Sequence, residues 1–209
     1  MSPRFVVFDI GGVLIDWNPA YLYRQLLPDD ASVSAFLSEV CTPEWNGQFD
    51  AGARFADGIA DLAGRHPDKA DLIEAYWLRW HEMLGGEVPG TAGVLSRLKE
   101  AGVAVHAISN WSAETFPRAR ELYPFLDAFD TLVVSGRERL VKPDVAIFRR
   151  FLDLTGVHAE ECLFVDDSAA NVTVAASLGF HTEHFRSAEA LERRLVAFGL
   201  LPLGEGGAQ

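Results

Sequence analysis

The sequence predicts an α/β protein: a doubly wound parallel sheet with a helical block inserted after its first strand. Three observations carry this. The run Phe5-Val6-Val7-Phe8 is apolar without alternation, as suits a strand buried on both faces at the centre of a parallel sheet. From residue 103 onward, strand-like and helix-like segments alternate, which argues parallel strands joined by right-handed crossovers. Between these regions, residues 18 to 84 carry helical periodicities and no convincing strand.

Taken in order, the first strand ends at Asp9 and is followed by Gly11-Gly12, which frees the backbone to bend tightly. The inserted block shows Tyr21-Leu22-Leu26, Val33-Phe36-Leu37-Val40 and Leu72-Ile73-Tyr76-Trp77-Trp80, all at helical spacing. Asp16-Trp17 and Gly85-Gly86 flank it as candidate hinges. Pro89-Gly90 then breaks the pattern, and a helix is expected from Thr91 to Ala101, stopped by Gly102. Strands are expected near 103–109, 131–135, 162–166 and 180–185. Helices are expected near 113–122, 144–155, 168–178 and 187–198, the last with Ser187 as N-cap, before a frayed tail from Gly204 to Gln209.

Composition narrows the function classes. The chain has 209 residues, 49% of them apolar, enough for one α/β domain with a modest insertion. Its formal charge of −12 disfavours nucleic acid and anionic membrane surfaces as partners, and no basic stripe is present. No apolar run approaches a membrane span and no secretory segment is visible, so a cytoplasmic protein is expected. Cys41 and Cys162 are too few and too scattered for a disulfide framework. A small phosphate is still an admissible ligand, because local donors and a divalent cation outweigh a distant, screened field.

The chemistry-bearing residues sit where strands end. Asp9 follows the first strand, Ser109-Asn110 the second, and Asp166-Asp167-Ser168 the run Cys162 to Val165; Lys142-Pro143-Asp144 precedes a helix. In open α/β sheets, ligands gather at the carboxyl ends of the strands. Each motif alone has a plainer reading, such as N-capping for the adjacent acids. Four of them in this order, over about residues 4 to 186, resemble the haloacid dehalogenase superfamily of hydrolases.

That resemblance implies a Rossmann-like catalytic core at 1–16 and 85–209, with a helical cap at 17–84 that closes over the site. It implies that Asp9 attacks phosphorus to form an aspartyl-phosphate, that Ser109 and Lys142 serve the phosphoryl group, and that N–H groups near Gly11, Gly12 and Asn110 hold its oxygens. Mg2+ would be held by Asp9, the carbonyl of Gly11 and Asp167, with Asp166 binding directly or through water. Asn171 either orients a carboxylate or faces solvent. Trp45, in the polar stretch Thr42 to Gly47, is expected to face a substrate, with Trp17 and Trp111 bordering the same crevice. His181 and His184 are separated by an odd number within a strand, so they make poor joint zinc ligands.

One departure from the family's phosphatases matters. They carry a second Asp, the general acid, two residues after the nucleophile, whereas this chain has Gly11. General acid–base help is worth ~10²–10⁴-fold, so its loss favours an ester with a good leaving oxygen. A small sugar phosphate is the preferred substrate, as in the sugar-phosphate phosphatases with Gly here that the chain resembles. Asp16, Glu44, Asp50 and His81 are alternative proton sources. Two other readings stand beside this phosphatase: a 2-haloacid dehalogenase using the same Asp, and a non-catalytic protein that binds phosphate or a partner. The oligomeric state is not legible.

Overall fold

The structure, a computed structural model, describes residues 2–202; the expected tail lies outside them. The central strand β1 is Phe5–Phe8. Val6 and Phe8 face one buried cluster and Val7 faces the other, so an unbroken apolar run satisfies two cores at once. After a tight turn come β2 (Ile15–Trp17) and five helices: α1 (Ala20–Tyr23), α2 (Asp30–Glu39), α3 (Pro43–Asp50), α4 (Phe55–Arg65) and α5 (Ala70–Leu78). The strand β3 (Leu84–Glu87) and α6 (Thr91–Glu100) lead back to the sheet.

The remainder alternates as the pattern predicts: β4 (Val105–Ser109), α7 (Phe116–Leu122), β5 (Thr131–Val134), a single turn α8 (Ser135–Glu138), α9 (Val145–Thr155), β6 (Cys162–Asp166), α10 (Ala169–Ser177), β7 (His181–His184) and α11 (Ala188–Ala197). The sheet order is β5-β4-β1-β6-β7, and every adjacent pair is parallel. Ile147, Phe148, Phe151 and Ala175 from α9 and α10 cover one face. Leu95, Leu98, Leu191 and Leu195 from α6 and α11 cover the other. Fully burying a leucine, isoleucine or phenylalanine side chain is worth about 1.5–3 kcal/mol. With β1 between β4 and β6, the topology reverses beside Asp9, where a crevice opens at the strand ends.

Local chemistry sets the element ends. Thr42 accepts the Trp45 N–H at 3.2 Å, and Pro43 occupies the first turn of α3. Asp144 caps α9 by accepting from Ala146, and Ser187 caps α11 by accepting from Ala190. The expected helix at 113–122 starts later, at Phe116, with Pro117 in its first turn; Ser112 and Thr115 are left in the loop that lines the crevice.

The expected hinges are themselves structured. β2 and β3 pair as an antiparallel ribbon whose register shifts between Asp16 and Trp17. Asp16 accepts the Tyr21 hydroxyl at 2.5 Å. A Cβ at Gly85 would lie 2.3 Å from the Asp16 carboxylate and 2.7 Å from the Tyr21 ring, so glycine leaves room for the Asp16–Tyr21 pair beside the ribbon. On β4, His106 lies between the rings of Phe5 and Phe151 at centroid distances of 5.9 and 5.5 Å. It is 6% exposed, and neither ring nitrogen has a hydrogen-bond partner among the described residues. Burial holds its pKa below the ordinary histidine value.

Candidate active site

Asp9, Lys142 and Asp166 meet at the strand ends. The Asp9 N–H donates to Val165 O at 2.8 Å, which aligns the ends of β1 and β6. Lys142 Nζ lies 2.8 Å from Asp9 Oδ2 and 2.7 Å from Asp166 Oδ2, its side chain wholly buried. An ammonium so placed is costly unless paired, and here two carboxylates pair it. Burial works against the charged lysine, but Asp9 and Asp166 outweigh that and hold its pKa above the ordinary value. Burial pushes Asp9 up to about 7 against the pull of Lys142, and Asp166 adds to the rise.

Each member is positioned from behind. Asp166 accepts the Ser168 N–H at 2.8 Å, while Asn171 Nδ2 lies 3.0 Å from both of its oxygens. Asn171 is buried, which decides between its two sequence readings: it orients a carboxylate. Asn110 clamps the backbone of Lys142, accepting its N–H at 2.8 Å and donating to its carbonyl at 2.9 Å. The Asn110 side-chain amide is therefore committed to holding Lys142. His184 donates Nε2–H to the Asp167 carbonyl at 2.8 Å, which braces the acidic loop.

Asp9, Asp166 and Asp167 each offer an oxygen, and these oxygens lie within 4.8 Å of one another. Such hard, anionic donors suit a small divalent cation that keeps several waters. Asp166 already accepts four hydrogen bonds, whereas Asp167 is exposed on the crevice rim. Asp167 therefore has the freer lone pairs. Partial desolvation by the crevice and the neighbouring Asp166 hold its pKa above the ordinary carboxylate value. Gly12 makes this arrangement possible, because its φ is +75° and an added Cβ would lie 2.3 Å from Asp167 Oδ2.

The expected phosphate donors divide. Ser109 Oγ, at the end of β4, is buried and has no hydrogen-bond partner. Gly11 and Gly12 line the crevice, but the Gly12 N–H is donated to Ile15 O at 2.9 Å, so the turn itself consumes that donor.

The crevice opens into a cavity of about 240 Å³ between the strand ends and the helical block. Trp17, Phe55, Trp80 and Trp111 contribute aromatic faces, and Asn46 and Asp50 of α3 contribute polar groups. Burial pushes Asp50 up to about 7, with Lys142 opposing.

Residues 3–179 match the family described as haloacid dehalogenase-like hydrolase. The chain belongs to that family. It is 30% identical over 177 residues to a sesquiterpene phosphatase of Aspergillus oryzae, covering 84% of this chain and 86% of the relative. It is also 30% identical to an (S)-2-haloacid dehalogenase of Burkholderia cepacia, covering 87% and 82%. Among solved structures, it is similar to a haloacid dehalogenase family enzyme of Bacteroides thetaiotaomicron in complex with magnesium and inorganic phosphate. That similarity has a TM-score of 0.69 at 21% identity over 88% of this chain and 95% of the other.

In this haloacid dehalogenase-like hydrolase, the aromatic wall differs from its sequence expectation. Trp45 does not line the cavity. It packs edge-on against Phe49 and Tyr76 and donates its indole N–H to Gly58 O at 3.3 Å, because position 45 falls on the same helical stripe as Phe49. Trp17 and Trp111 do line it, joined by Trp80, which the sequence shows only at helical spacing, and by Phe55, for which the sequence offers no signal. No helix among the described residues is long and apolar enough to cross a membrane.

Proposed function

We propose that this hydrolase is a magnesium-dependent phosphatase that cleaves a small phosphorylated metabolite through an aspartyl-phosphate on Asp9. The observation that carries this reading is the convergence of Asp9, the Lys142 ammonium 2.8 Å away and the oxygen cradle of Asp9, Asp166 and Asp167. Attack on a phosphoryl group needs an oxygen nucleophile, cationic neutralisation and fixed donors. Asp9 supplies the first. Lys142 balances the charge between nucleophile and phosphate, and Ser109 Oγ has a free hydroxyl for a phosphoryl oxygen. Bound Mg2+ would add Lewis-acid neutralisation of the phosphoryl oxygens, held by Asp9, Asp167, the Gly11 carbonyl and Asp166 directly or through water. The helical block acts as a cap over residues 17–84, at whose two ends the β2–β3 ribbon forms a paired stalk rather than two loose hinges. The buried, unpaired thiols of Cys41 and Cys162 suit a reducing, cytoplasmic setting.

A sugar phosphate is the first substrate class, its C–H faces stacking on Trp17 and Trp80. A specific observation favours a second class. The polar groups of the wall are largely engaged with one another: Asn46 with Tyr76 and Asp50, Thr115 with the Trp111 indole, and Ser112 with the Glu114 N–H. Buried sugar hydroxyls left without partners would be costly, whereas an isoprenoid phosphate asks only for apolar faces. The relative from Aspergillus oryzae is a sesquiterpene phosphatase.

The test measures phosphate release from a hexose 1-phosphate, an isoprenyl phosphate and p-nitrophenyl phosphate, with Mg2+ and with chelator, beside halide release from 2-haloacids. Phosphate release that chelator abolishes and Asp9→Asn eliminates, with the variant still folded, is the expected outcome. Metal-independent halide release without phosphate release would replace this reading with the dehalogenase.

A further inference from the structure

We infer that Asp50, reaching the cavity from the end of α3, is the proton donor that stands in for the acid missing at Gly11. The inference rests on the phosphatase reading and deepens it.

Geometry selects Asp50 among the four proton sources considered from sequence. Asp16 is tied to the Tyr21 hydroxyl in the ribbon. Glu44 is exposed in the first turn of α3, and His81 meets the Arg118 guanidinium at 3.3 Å in an exposed contact. Asp50 alone of the four lines the cavity that also holds Asp9 and Asp167. A second observation lies in the lining of the same cavity: an added Cβ at Gly11 would meet nothing within 4 Å, so the place of a nearby acid is open space.

The carboxyl is fixed and biased toward its protonated form. Tyr76 donates its hydroxyl to Asn46 Oδ1 at 2.9 Å, and Asn46 Nδ2 donates to Asp50 Oδ2 at 3.3 Å, which leaves Asp50 Oδ1 without a hydrogen-bond partner among the described residues. Asp50 is the last residue of α3, where the negative end of the helix dipole disfavours a carboxylate. Burial beside the aromatic wall acts in the same direction and pushes Asp50 up to about 7. An acid near neutrality is well matched to both giving and taking a proton.

The proton balance closes over two steps. As the Asp9 carboxylate bonds to phosphorus, the bond to the alcohol oxygen breaks and that oxygen takes the Asp50 proton. Water then bonds to phosphorus, giving its proton to the Asp50 carboxylate, while the phosphorus bond to Asp9 breaks and phosphate leaves.

The experiment compares first-turnover alcohol release from an alkyl phosphate and from p-nitrophenyl phosphate in Asp50→Asn and Asp50→Ala. Nitrophenolate needs no proton to leave, so the alkyl rate should fall by ~10²–10⁴-fold and the nitrophenyl rate by far less. The ratio of the two rates does not depend on the folded fraction, so partial misfolding cannot mimic it. An unchanged ratio in both variants overturns the role of Asp50. If the wild type releases no phosphate from any ester, the phosphatase reading itself has failed, which is a separate result.

Discussion

The two walls of the cavity are built on opposite principles. At the strand ends, Lys142, Asp9, Asp166, Asn171 and Asn110 hold one another in a closed network with almost every polar atom engaged. Across the gap, the helical block presents aromatic faces and one short polar chain, Tyr76 to Asn46 to Asp50. The first wall cannot change without disturbing fold and chemistry together. The aromatic part of the second can vary its shape while the reaction centre stays in place.

Lys142→Met should break the comparison most severely, because it leaves two buried carboxylates without their cation. Removing one partner of a buried pair costs about 3–5 kcal/mol, so denaturant titration should show a loss of that size alongside lost turnover. A variant as stable as the wild type would mean that Asp9 and Asp166 are not paired through this ammonium. Asn171→Ala should act less on folding and more on the cradle. Groups behind a metal ligand typically contribute 10–100-fold to metal affinity, so the Mg2+ concentration for half-maximal activity should rise about 10–100-fold. An unchanged magnesium requirement would reduce Asn171 to packing.

The aromatic faces of the opposite wall, unlike Asp50, should respond in binding rather than in chemistry. Trp17→Ala removes a partly buried ring. Aromatic contacts of this kind are worth about 0.5–1.5 kcal/mol, so KM for the organic ester should rise by about 2- to 10-fold. Inhibition by inorganic phosphate, which carries no organic group to meet the ring, should not move. Equal weakening of both would show that the two walls are not separable.

The same contrast explains what could be read from sequence. Asp9, Ser109 and Asp166 follow short, β-branched-rich apolar runs set between helix-like segments, so their placement at strand ends is legible from the pattern. The ribbon was not, because Leu84-Gly85-Gly86-Glu87 has no strand propensity and pairs with Ile15–Trp17 across the whole helical block. Asp50 carries no motif; only the packing of α3 brings it to the cavity. Trp45 was misplaced because its polar neighbours suggested a crevice, although Thr42 and Pro43 mark a helix start and put Trp45 and Phe49 on one buried stripe.

The unpartnered imidazole on β4 has a consequence for the conditions under which the molecule survives. Packed against the rings of Phe5 and Phe151, His106 has no neighbour to receive an N–H, and a second proton would have to enter the apolar layer as a bare cation. Burial lowers its pKa, with Asp130 partly opposing and Lys99 adding to the fall. As pH drops below the ordinary value of 6.5, the unfolded chain takes up a proton that the folded chain refuses, and stability declines until the lowered pKa is passed. Chemical denaturation between pH 8 and pH 5 should therefore show a loss that His106→Phe reduces, and parallel curves for the two proteins would contradict it. One ring in the sheet thus helps set an acid limit for the whole molecule.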